Sequence, residues 1–144
     1  MGSAFLRYLL WSAPLHLAWE TLQLPLYTLW TTESLGAQVY AVLHCSIGDV
    51  MIAAATLGTA LLAMRAKHWP GSASRPVWLA SVALGILYTV FSEWLNVEIR
   101  GSWAYSESMP ILPYLGTGLL PLLQWLVVPT AAQWIALRHR PWRE

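Results

Sequence analysis

The sequence predicts an all-α, polytopic membrane protein: a four-transmembrane-helix bundle with an outer lid segment. Three observations predict it. Only 10% of the 144 residues are charged, against roughly 25% in a soluble domain. Mean hydropathy is positive, and 57% of the residues are hydrophobic. The apolar residues gather into four runs, each long enough for a helix crossing a hydrocarbon layer about 30 Å thick. At this length the chain has room for one integral membrane domain, 1–144.

The first span is expected over residues 5–27, bounded by Arg7 and by Thr31-Thr32-Glu33-Ser34. His16 and Glu20 interrupt its apolar run and no small-residue cleavage site follows, so it reads as a retained helix and not as a signal peptide. The second, over 36–64, stops at Arg65, Lys67 and His68; the third, over 77–97, follows the breaker Trp69-Pro70-Gly71-Ser72. The fourth, over 115–137, ends at Arg138, His139 and Arg140. The single cysteine, Cys45, excludes an intrachain disulfide and reads as a small buried residue.

Four crossings put Arg7, Arg65, Lys67, Arg75, Arg138, Arg140 and Arg143 on one side and only Arg100 on the other. By the positive-inside rule both termini and the 65–76 loop are expected in the cytoplasm, with the bacterial inner (plasma) membrane as the expected location. Trp30, Trp69, Trp78, Trp134 and Trp142 fall near the span ends, where indole anchors at the interface.

Polar residues inside the spans concentrate at one depth. His16, Glu20 and Gln23 are spaced i, i+4, i+7 and share a helix face. Gln38, His44 and Asp49 lie in the outer half to middle of the second span, Glu93 and Asn96 at the outer end of the third, and Gln124 at a similar depth in the fourth. Residues 51–63 and 77–87, in the inner halves, are essentially apolar or small. An ionisable group at bilayer depth costs about 2.5–3.5 kcal/mol on insertion scales. A shared outer layer therefore implies a polar chamber.

The segment 98–114 is too polar to span, yet it carries Trp103, Tyr105, Met109 and Tyr114. It reads as a lid or re-entrant cap buried against protein. Pro14, Pro25, Pro121 and Pro129 are expected to kink the first and last spans. Gly36, Gly48, Gly58, Gly85, Gly116 and Gly118 permit close helix packing.

Each polar group has a structural reading beside a chemical one. His16 with Glu20, or Glu93 with Asn96, would serve as bonded pairs holding the bundle; Asp49 would pair with His44 or with the first helix; Gln124 would bridge helices. The chemical reading makes Glu20 and Glu93 the proton-transfer residues, supported by His16, Asp49 and His44. Apolar surroundings favour the neutral, proton-bearing form of a carboxyl group. Such an acid protonates a carbon–carbon double bond, and the faces of Trp19, Trp94, Trp103 and Trp125 suit the resulting cation. Asn96, Tyr105 and Gln124 are candidate orienting groups. The expected activity is cofactor-independent isomerisation, cyclisation or hydration of a lipophilic small molecule entering from the bilayer.

His16-Leu17-Ala18-Trp19-Glu20 resembles the His-Leu-x-x-Glu element of sterol isomerases of the emopamil-binding type. That resemblance implies a compact multi-helix enzyme that shifts a ring double bond, with His16 and Glu20 transferring protons and Glu93 as a second acid. A longer stretch is similar to membrane carotenoid hydratases and heterodimer-type lycopene cyclases. It runs from Glu93-x-x-Asn96-Val97 through Gly101-Ser102-Trp103-Ala104-Tyr105-Ser106 and Pro110 to Gly118 and Pro121–Trp125. The Pro-x-Glu-Glu element of such cyclases is absent, Pro121 being followed by Leu122-Leu123-Gln124. Both resemblances imply a polyisoprenoid or sterol-like substrate.

Three rival classes fit the same residues. Two histidines and three carboxylates suit an intramembrane metal site, although the Glu-x-x-His spacing of di-iron bundles is missing and no metal is expected. Four short helices with a membrane carboxylate suit a small proton-coupled transporter. A non-catalytic assembly subunit or lipid-binding module would use the polar layer only to hold helices or a partner. The few basic residues lie beside the spans and suit anionic lipid, so no nucleic-acid partner is expected. Homo-oligomer formation stays open.

Overall fold

A computed structural model describes residues 2–71 and 74–138. Within them the chain is helical, with no strand and two isolated bridges, Tyr27 to Tyr105 and Ile111 to Gly118. Helix α1 spans Gly2–Gln23. It ends two residues before Pro25, which has no N–H to donate and disfavours α geometry in the residue before it. The chain then passes through a 3-10 turn, Leu24–Leu26, and a short helix α2, Leu29–Thr32. Helix α3 covers Leu35–Ala63 and is capped by Ser34, whose hydroxyl accepts the Ala37 N–H at 3.3 Å. Helix α4, Ser74–Glu93, runs directly into a π-helical turn, Trp94–Ile99. Helix α5, Leu119–Arg138, holds Pro121 in its first turn, where a missing N–H is tolerated, and Pro129 within its length.

Three helices are long and apolar enough to cross a membrane: α3, α4 with its π turn, and α5. Helix α1 is not among them, because Arg7, Pro14, His16, Glu20 and Gln23 dilute its apolar run. Large apolar side chains nevertheless face outward on every long helix, including Leu10, Leu22, Ile47, Leu62, Leu87 and Trp134.

Each long helix packs on two others, α1 and α4 both against α3 and α5, so α1 and α4 stand diagonally across a square bundle. Arg7, Arg65, Lys67, Arg75 and Arg138 fall at the end of the bundle where α3 and α5 finish, and Arg100 at the opposite end. His139, Arg140, Trp142 and Arg143 lie outside the described residues, as does Ser72.

The arginine-rich end is tightly closed. Ala53, Leu57, Ala60, Val77, Ala132 and Ala136 are buried there with Tyr8, and their small side chains let the helices approach closely. The Arg100 end is crossed by the segment linking α4 to α5. Ala104 accepts the Thr28 N–H and Leu26 accepts the Ser106 N–H, both at 2.9 Å, which ties this segment to the turn after α1. Met109 and Thr117, within this segment, are buried.

Candidate functional site

Behind that segment the helices part around a cavity of about 690 Å³, within the usual range for a small-molecule site. Helix α1 contributes Glu20 and Gln23, α3 His44 and Asp49, α4 with its π turn Glu93 and Asn96, and α5 Gln124 and Trp125. Arg100, Ser102 and Trp103 complete the wall from the linking segment. Tyr40, His44 and Tyr88 both line the cavity and are exposed, so its mouth lies between α3 and α4.

A continuous hydrogen-bond network joins three helices on one wall. Trp19 Nε1 donates to Gln23 Oε1 at 3.1 Å. The Gln23 amide nitrogen donates to Glu20 Oε1 at 2.8 Å and reaches Gln124 Oε1 at 3.5 Å. The Gln124 amide nitrogen in turn lies 2.7 Å from Asp49 Oδ2 and 2.9 Å from His16 Nδ1. With two hydrogens on each amide nitrogen, both glutamines of this network find an acceptor for each. His16 Nδ1 is also 3.4 Å from Asp49 Oδ2; the imidazole is fully buried and the carboxylate 15% exposed. Gln124 is thus the hub that holds α1, α3 and α5 together at one depth.

Trp125 lies beside this hub, its ring centroid 5.4 Å from that of His16. Gly85 makes room for it: a Cβ there would lie 2.1 Å from Trp125 Cε3. The absent side chain on α4 therefore decides where the indole on α5 sits, and the indole confines the imidazole.

Glu93 forms a second centre. Its Oε2 accepts from the Tyr105 hydroxyl and, at 3.5 Å, from Trp103 Nε1. The Tyr105 oxygen accepts the Gly118 N–H at 3.0 Å. Gly118 is hemmed in, since a Cβ there would come within 3.0 Å of Met109 Sδ and 3.1 Å of the Tyr105 ring. Burial, and then the adjacent Glu93 carboxyl, push the Tyr105 phenol above its ordinary range, so it stays a proton donor to Glu93. The π turn begins one residue after Glu93, and such single turns recur at functional sites. Asn96, inside that turn, donates to the Ser92 carbonyl at 2.9 Å and faces the cavity.

The pairings differ from the simplest sequence expectations. His16 bonds Gln124 and Asp49 and not Glu20, although Glu20 is one turn away. Asp49 meets His16 of the first helix, one of its two expected partners, and not His44, which stacks on Tyr40 at 5.7 Å. Glu93 takes Tyr105 and Trp103, while Asn96 takes Ser92. Trp19 reaches the network through Gln23, whereas Trp94 is half exposed, packs near Phe91 and is not part of the cavity wall. Among the described residues no three His, Cys, Asp or Glu side chains converge as a metal-ligand group.

Sequence reasoning passed over Tyr27 and Tyr88, which line the cavity, and Tyr8 and Ser12, which are buried on α1. A signal for three of them was present: the i, i+4 stripe of His16 and Glu20 extends back to Ser12 and Tyr8, and Tyr27 follows Glu20 by seven. Polar groups also reach the closed end, where Gln133 donates to Ser81 at 3.3 Å. Compared with protein-family models, with curated proteins and with solved structures, the chain finds no match.

Proposed function

We propose that this chain is an integral membrane enzyme that performs acid/base chemistry on a lipophilic, isoprenoid- or sterol-like alkene. Helix α1 acts as a fourth span, its polar face turned into the bundle. The arginine-rich end faces the cytoplasm with both termini, and the linking segment is a lid over an outer-leaflet chamber. The substrate enters from the bilayer between α3 and α4.

One observation carries the reading: three carboxyl groups from three helices, Glu20, Asp49 and Glu93, line a single cavity that also presents Trp103 and Trp125. A lipid-facing protein retains such costly groups where they do work. Glu93, steadied by Tyr105 and Trp103, gives its proton to the double bond. The positive charge passes to the adjacent carbon and faces the indoles. Glu20, held by Gln23, then removes a different proton, which leaves an isomer with Glu20 now the acid and Glu93 the base, and return of a proton to Glu93 resets the pair. Water adding to the cation would give the hydrated product.

The test is isotopic. Protein in liposomes is incubated in D₂O with linear polyisoprenoids or with unsaturated sterols, and the recovered lipid is weighed by mass spectrometry. Deuterium is expected in the lipid with wild type and absent with Glu20→Gln and Glu93→Gln. Folded wild-type protein that labels neither lipid class overturns the proposal.

A further inference from the structure

The network around His16 uses only one of its ring nitrogens. Nε2 is buried and has no hydrogen-bond partner, and the same holds for Ser12 Oγ and Tyr8 Oη. All three side chains are fully buried. They stand at i, i−4 and i−8 on α1, on one face, about 6 Å apart along the axis. Helical side chains lean back toward the helix N-terminus, so each polar tip points over the turn that carries the next. The Tyr8 hydroxyl lies within reach of Ser12, and at the first turn Arg7 Nε is also buried without a partner. The neighbouring helices present small residues here, Ala53, Ala60, Ala132 and Ala136.

Buried polar groups are almost always hydrogen-bonded, to protein or to ordered water. Three unpartnered groups on one helix face, in a polar strip through an apolar core, fit a chain of internal waters, each with two or more polar contacts. We propose that Tyr8, Ser12 and His16 hold a water file that carries protons between the chamber and the arginine-rich end of the bundle. The imidazole is the junction. A proton taken up at one ring nitrogen is matched by one released at the other, so Nε2 exchanges with the file while Nδ1 exchanges with Asp49. The ring is unchanged after each passage once its tautomer resets. Ser12 and Tyr8 relay by accepting one proton and releasing another.

This deepens the enzyme reading, because each turnover leaves Glu93 short of the proton that Glu20 has gained, and proton exchange resets the pair without opening the lid. It nevertheless has its own test, which involves no substrate. Protein labelled with ¹⁵N-histidine is studied in bilayers by solid-state NMR, with magnetisation transferred from water. The expected result is water contact at the His16 Nε2–H in wild type and its loss in Ser12→Val, with Tyr8→Phe weakening it. The unchanged ¹⁵N signals of His44, at the chamber mouth, serve as the internal reference for an intact fold. Absence of water contact at His16 in wild type overturns the file. So does equal contact in a folded Ser12→Val protein, since the water would then come from the chamber. If deuterium labelling of lipid fails while water contact is present, the enzyme reading falls and the file stands.

Discussion

The two ends of this bundle are made from the same four helices and are built on opposite principles. At the arginine-rich end Ala53, Leu57, Ala60, Val77 and Ala132 close the space between helices, and side-chain size decides the fit. At the other end the helices part, and hydrogen bonds through Gln23 and Gln124 fix the spacing in place of contact. The difference teaches how a small membrane bundle keeps a cavity open. A clamp of small residues holds one end, and a polar hub braces the other.

That comparison breaks if the two ends share one stability. Leu57→Ala, at a fully buried position of the closed end, is expected to cost about 2–5 kcal/mol, the range for a large-to-small core change. Thermal unfolding in detergent checks it, with the His16–Gln124 contact expected to persist in the remaining folded protein. Gly85→Ala tests the junction of the two ends. Its new methyl meets the Trp125 ring, so a loss of about 1–3 kcal/mol is expected from overpacking. His16 should shift with Trp125, read as a change in the imidazole ¹⁵N signals. Tyr105→Phe has the smallest expected effect, about 1.5 kcal/mol, because it removes one donor to Glu93 and the acceptor for the Gly118 N–H. Proteolysis between residues 100 and 118 should speed up in that variant, whereas cleavage near residues 64–71 should not. If all three variants unfold at one temperature shift, the division between ends is wrong.

Much of the fold was legible because it depends on local chemistry. Ser34 before an apolar run marks the start of α3, and Pro25 marks the end of α1 four residues earlier than hydropathy alone placed it. The runs at 36–64, 77–97 and 115–137 match the three helices apolar enough to cross a membrane to within a few residues. The gathering of Glu20, Asp49, Glu93 and Gln124 at one cavity followed from their depth along the helices, which a rise of 1.5 Å per residue makes readable. Tyr8 and Ser12 were readable by the same periodicity, but a hydroxyl in an apolar run carries little weight until its burial is known.

Which groups touch was not legible. Trp94 and Trp125 look alike in sequence, yet one faces outward and the other lies against His16, because each helix's rotation is set by packing such as that at Gly85. The sequence by itself determined the three apolar spans, the charge asymmetry and the level at which polar groups occur, since these depend on composition and on distance along a helix. Only the tertiary structure decided that His16 meets Asp49 through Gln124 and that Tyr105 returns to Glu93. Those partners come from different helices or from the linking segment, and their meeting depends on how the helices turn and cross.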